Sequence, residues 1–140
     1  MIEFILYVSD QQKSMEFYSI LLNKTPALHV PGMTEFLLAE HCKLGLMPEN
    51  GIYKILSGST PHPKSGSGIP RCELYLYVEN MEEALANAAK AGAIEINPLQ
   101  DRDWGDRVAY FADLDGHIIA FANSPLRQVE KDTAAALGPS

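Results

Sequence analysis

The chain predicts an α+β fold of two tandem βαβββ modules that pack together and build one shared site. The first observation is a repeat. Residues 3–10, Glu-Phe-Ile-Leu-Tyr-Val-Ser-Asp, return seventy positions later as residues 73–80, Glu-Leu-Tyr-Leu-Tyr-Val-Glu-Asn, with Glu, Leu, Tyr and Val in register. Two copies are too few for a solenoid, so the repeat reads as a duplicated module. The second observation is that each copy runs straight on into apolar residues at helical spacing. The third is a late Asp113-Leu-Asp-Gly116 turn, about 75 positions after the equivalent Glu40-His41 turn.

In the first module a strand over 3–8 leads to Asp10, whose side chain suits a helix N-cap. Met15, Tyr18, Leu21 and Leu22 then recur with a period near 3.6, and Asn23 is a natural C-terminal stop. Strands follow at 27–30, 34–39 and 42–47, with Pro31-Gly32 as the first turn. Residues 52–56 suggest a short helical turn. The second module repeats the order: a strand from 73, Asn80 as N-cap, an Ala-rich helix to Gly92, then strands at 93–97, 107–112 and 117–122. Module one covers 1–56, a Ser/Gly/Pro-dense linker 57–70, and module two 71–125, making one domain. The tail 126–140 contains a candidate terminal helix over 126–137.

At 140 residues and 46% hydrophobic, the chain can supply the core of one domain. Its net charge of −7 argues against nucleic acid, since phosphate recognition needs clustered Lys and Arg. Apolar runs are too short to span a membrane, and the first residues are not signal-like. Two cysteines, Cys42 and Cys72, form neither a metal-type pair nor a disulfide framework. These features predict a reduced, cytoplasmic protein.

Alternation divides each strand into two faces. Phe4, Leu6 and Val8, with Leu74, Leu76 and Val78, form rows expected under the helices. Glu3, Ile5 and Tyr7, with Glu73, Tyr75 and Tyr77, face the other way. Aromatic residues on a plain solvent face would be odd, so that side is expected to line a cavity.

The doubled modules, the Val8-Ser-Asp10 opening with Met15-Glu-Phe-Tyr18, and the Asp113-Leu-Asp-Gly-His117 turn resemble the vicinal-oxygen-chelate superfamily over roughly residues 2–123. That superfamily includes glyoxalase I, extradiol dioxygenases and bleomycin- and fosfomycin-resistance proteins. The resemblance implies sheets curled into a cup, completed by a second subunit, and a homodimer. It also marks four metal-ligand positions, which fall here on Glu3, Gly45, Glu73 and Ala120. Glycine and alanine offer no donor, and a stable divalent site ordinarily takes three protein ligands. The sequence therefore predicts no family metal and no cofactor.

Two glutamates in one apolar cup would raise at least one carboxyl pKa, and can act as an acid–base pair or receive a cationic group. Pairing with Lys43 or Arg71 is the plainer alternative. The loop 100–107 carries the sole tryptophan, Trp104, and its Trp-Gly pair is similar to a groove-lining segment of bleomycin-resistance proteins. Trp104 can stack on a planar or cationic ligand, and Arg102 or Arg107 can hold an anion. Alternatively, Trp104 covers a rim or dimer seam and the arginines pair with Asp101, Asp103 or Asp106. His117 reads as a solvated turn residue.

The prediction is a small-molecule binder, its ligand organic and cationic or hydrogen-bond-donating, held by Glu3, Glu73, Tyr7, Met47, Tyr75, Tyr77 and Trp104. The rival is a glyoxalase-type lyase or isomerase using Glu3 and Glu73 as metal ligands or as acid and base. A third class is a dimeric interaction protein with a vestigial pocket.

Overall fold

The computed structural model describes residues 1–124; the predicted terminal helix over 126–137 lies outside them. The elements run β1 (Ile2–Val8), α1 (Gln11–Leu22), β2 (Leu28–Val30), β3 (Met33–Ala39), β4 (Cys42–Pro48) and α2 (Glu49–Leu56). A 3-10 turn (Pro63–Gly66) interrupts the linker. Then come β5 (Glu73–Tyr77), α3 (Met81–Ala91), β6 (Ile94–Asp101), β7 (Arg107–Ala112) and β8 (Ile118–Asn123).

The strands form two four-stranded mixed sheets of matching order, β1-β4-β3-β2 and β5-β8-β7-β6. In each, a helix carries the chain away from the first strand, so that strand pairs parallel with the last while the other neighbours are antiparallel. Register sets Ile5 beside Gly45, Tyr7 beside Met47 and Tyr75 beside Ala120. The predicted α+β fold of two βαβββ modules is the fold observed.

The helix starts follow the predicted chemistry. Asp10 accepts from the Lys13 amide at 2.9 Å, and Asn80 from the Glu83 amide at 3.0 Å. Such caps are each worth about 1 kcal/mol. Asn23 and Gly92 close the helices in the left-handed region, at φ 50° and 84°.

Both modules contribute to one core. Phe17, Tyr18 and Leu21 of α1 and Ala84 and Ala88 of α3 pack with Val8, Phe36, Leu44, Leu46, Phe111, Ile119 and Phe121 of the strands, and the two helices pack on each other. Leu6, Leu74, Leu76 and Val78 join from their predicted rows. Phe4 does not, being 65% exposed. Helix α1 packs on β3 and β4, so the start of β1, an edge strand, stays uncovered.

Two elements exceed their predicted lengths. Helix α2 spans a full eight residues, with Glu49 in its first turn and Lys54 in its last, both favourable to the helix dipole. Gly51 masks that helix in sequence. Strand β6 runs on through Pro98 to Asp101 because it is a sheet edge, and its register shifts twice beside β7.

Candidate functional site

On the face of the first sheet away from the helices, three neighbouring strands bring together Glu3, Glu35, Lys43 and Gly45. Glu3 pairs across to Lys43, and Glu35 sits opposite Gly45. The missing side chain at 45 is what admits the acid. A Cβ there would stand 2.6 Å from Glu3 Oε1 and 3.0 Å from Ile5 Cγ1. Glu3 Oε1 is buried in that space with no hydrogen-bond partner, while Lys43 Nζ donates to Glu35 Oε1 at 3.3 Å.

The pKa values of the two neighbouring carboxyls are pushed apart. Burial, then the neighbouring Glu35, raises the Glu3 pKa above the usual carboxylate value. The hydrogen bond from Glu3 lowers that of Glu35, against its own burial and with help from Lys43. Of the two, Glu3 keeps its proton to the higher pH. Glu35 escaped the sequence analysis because its partner lies across two strands.

The corresponding face of the second sheet is built on Asp106, which is 5% exposed. Its Oδ2 accepts from the Tyr75 hydroxyl at 2.6 Å and the Tyr77 hydroxyl at 3.1 Å. Trp104 Nε1 donates to the Tyr75 oxygen at 3.0 Å, and the two tyrosine rings meet edge to face at 5.3 Å. Burial and the Asp106 bond push the Tyr75 phenol up to about 12. Tyr75 and Tyr110 close over Val108, Ala120 and Ala122, which are fully buried. Glu73 has Tyr110 as its neighbour: burial first, then the Glu73 charge, raises that phenol's pKa.

The arginines of this region are engaged internally. Arg102 Nη2 donates to Asn97 Oδ1 at 2.7 Å, Pro98 O at 3.1 Å and Val108 O at 2.8 Å. Its guanidinium also lies 5.1 Å over the Tyr110 ring. Arg107 Nε pairs with Asp101 Oδ1 at 3.0 Å at the exposed end of the same hairpin. Replacing Tyr75 by Phe removes both the acceptor for Trp104 and a donor to Asp106. The expected result is a shift in the emission of the lone tryptophan with a stability loss of about 1 kcal/mol. An unchanged spectrum would refute the Trp104–Tyr75 bond.

The Asp113 turn forms a third cluster. Asp113 Oδ1 accepts from the Asp115 and His117 amides at 2.9 and 2.8 Å. Its Oδ2 accepts from the Tyr18 hydroxyl at 2.5 Å and lies 2.8 Å from His117 Nδ1. His117 is thus half-buried and ion-paired where the sequence suggested a solvated residue, because Tyr18 and Asp113 are 95 positions apart and their meeting is tertiary. Donor atoms of Asp113, Asp115 and His117 lie within 4.8 Å of one another. Both Asp113 oxygens are already committed, so the group is a brace between α1 and the turn.

The four positions that the superfamily resemblance marks for a metal do not fit one. Gly45 has no donor and its space holds the Glu3 carboxyl, Ala120 is sealed beneath Tyr75 and Tyr110, and Glu3 and Glu73 keep separate company. Of the predicted ligand-binding residues, Tyr7 alone lines the cleft of ≈ 690 Å³ beside β1, and Met47 sits next to it across the β1–β4 pair.

A family model described as a glyoxalase-like domain matches residues 1–125. An uncharacterised protein of Mycobacterium bovis is 27% identical over 130 residues, covering 91% of this chain and 84% of its own. Among solved structures, a glyoxalase-related enzyme from Fulvimarina pelagi superposes with a TM-score of 0.75 at 19% identity, covering 89% of this chain and 88% of that one. A glyoxalase/bleomycin resistance protein/dioxygenase from Nocardioides gives 0.69 at 20%, with 87% and 81% covered.

Proposed function

Because the chain belongs to the glyoxalase-like domain family, within the vicinal-oxygen-chelate superfamily, we propose that it binds a small organic molecule on the outer faces of its sheets without the family's usual metal. The observation that carries this is the Glu3 carboxyl, seated where a side chain at 45 would lie, with one oxygen unpartnered beside Glu35. Glu3 offers its unpartnered Oε1 and Glu35 stands beside it, held by Lys43, so a ligand group that donates hydrogen bonds, such as an ammonium, an amide or a hydroxyl, meets acceptors there. Tyr7 and Met47 extend that face, and Tyr75, Tyr77 and Trp104 offer an aromatic counterpart on the second sheet. A second copy of the chain completes the cup, covering the exposed Ile2 and Phe4 of β1.

A glyoxalase-type lyase or isomerase is the second reading, and the same pair favours it: two adjacent carboxyls whose proton affinities are pushed apart are suited to acid–base work. Glu3→Gln separates the two. Under the binding reading, protein stripped by dialysis holds no stoichiometric metal, library ligands raise its melting temperature, and Glu3→Gln weakens them about tenfold. Near-stoichiometric zinc, nickel, manganese or iron, or turnover of a glutathione hemithioacetal abolished by Glu3→Gln, would overturn it.

A further inference from the structure

We propose that the cleft bounded by β1, α2, the linker and the Asp113 turn is a separate site for an organic cation, a primary amine carried on an apolar body. Its volume of ≈ 690 Å³ falls in the range of small-molecule sites. Ile5, Tyr7, Leu56 and Ile69 line it with apolar surface, and Glu49, Asp115 and His117 line it too.

The acids there are what a ligand has to answer. Glu49 is 9% exposed, and its side chain makes no hydrogen bond or ion pair among the described residues. A carboxylate so enclosed by the cleft gains from a positive partner. Asp115 gives Oδ1 to the Ser9 amide at 3.1 Å and leaves Oδ2 buried without a partner. The one cation that answers them is His117, whose pKa both acids raise after Asp113. His117 is also hydrogen-bonded to Asp113, and Arg71, exposed and lining the same cleft, is in no ion pair with either acid among the described residues.

An organic ammonium suits this better than a metal ion. With Asp113 saturated by its four partners, Asp115, His117 and the more distant Glu49 do not make a compact donor set, and a divalent ion would leave the apolar wall unused. The site shares Tyr7 with the outer face of β1 but needs neither Glu3 nor Glu35.

The test is thermal shift and calorimetric titration of the full chain with hexylamine, benzylamine and phenethylamine, each against the alcohol of the same skeleton. At least one amine is expected to raise the melting temperature and to bind about tenfold or more tighter than its alcohol. Glu49→Gln should lose that preference and melt within a few degrees of the parent, since the charge it removes contributes only modestly through the α2 dipole and His117. Glu3→Gln should keep it. Leu56→Lys places a tethered ammonium in the cleft and should abolish amine binding whatever Glu49→Gln does to folding. Equal response to amines and alcohols, no response to any amine, or binding insensitive to both Glu49→Gln and Leu56→Lys overturns the proposal. So does binding lost with Glu3→Gln alone, which would assign the amine to the outer face of β1.

Discussion

Asp113→Ala is expected to cost about 3–5 kcal/mol of folding stability, the usual range for removing one member of a buried, hydrogen-bonded charge pair. The carboxylate serves Tyr18, His117 and two backbone amides at once, so its loss strands four donors. The pH dependence has a definite sign. Burial raises the Asp113 pKa, but the bonds from His117 and Tyr18 outweigh it and hold the carboxyl below its usual value. That contribution is present above about pH 3.9 and is lost as pH falls through the lowered pKa. Burial pulls His117 down, but Asp113 first, then Asp115 and Glu49, raise it. Its contribution is full below about pH 6.5 and is lost as pH rises through the raised pKa. The pair is therefore strongest between about pH 4 and 6.5. Urea titrations from pH 5 to 9 should show the parent losing stability on the alkaline side and Asp113→Asn losing less. Equal slopes would remove the ion pair from the account.

Gly116→Ala should be the second large effect, about 2–4 kcal/mol. The residue sits at φ 87°, where an L side chain is strained, and its new Cβ would lie 2.8 Å from the Cα of Gly68. That neighbour is backbone, and Gly68 is itself bonded to Asp115 O at 3.3 Å. The linker would have to lift off the turn. Gly58→Ala is the matched control: φ is 75°, nothing lies within 4 Å, and the expected loss is only the conformational strain of about 1 kcal/mol. Denaturant melts give the difference, and limited proteolysis should cut Gly116→Ala faster within residues 57–70. Equal losses for the two variants would mean that the linker contact contributes nothing.

Much of the fold was legible because its signals are local. Asp10 and Asn80 announce helix starts within three residues, and the strands alternate plainly. The order of elements follows from the seventy-residue repeat. What the sequence could not show depends on partners far apart in the chain. The acid that lies beside Glu3 is thirty-two positions away on β3, and the tyrosine that braces Asp113 is in the other module. Tyr75 and Tyr77 were readable as a pair, yet Asp106, which orients both, looked like one acid among several in a loop. Arg102 reads as an anion holder or as the partner of a nearby Asp until β6 and β7 pair and offer it carbonyls. Position 4 fits its row by alternation, but alternation carries no information about where a helix stops covering a sheet.

The helix pair at the centre also shows that the two modules are not interchangeable at their seam. Tyr18 and Leu21 on α1 correspond, seventy positions on, to Ala88 and Ala91 on α3, so a bulky surface meets a small one. Two copies of the first module brought together in this way would crowd the seam, and two of the second would leave it hollow; either error costs a few kcal/mol, about 1–3 for crowding alone. Each half is shaped to receive the other and not a copy of itself.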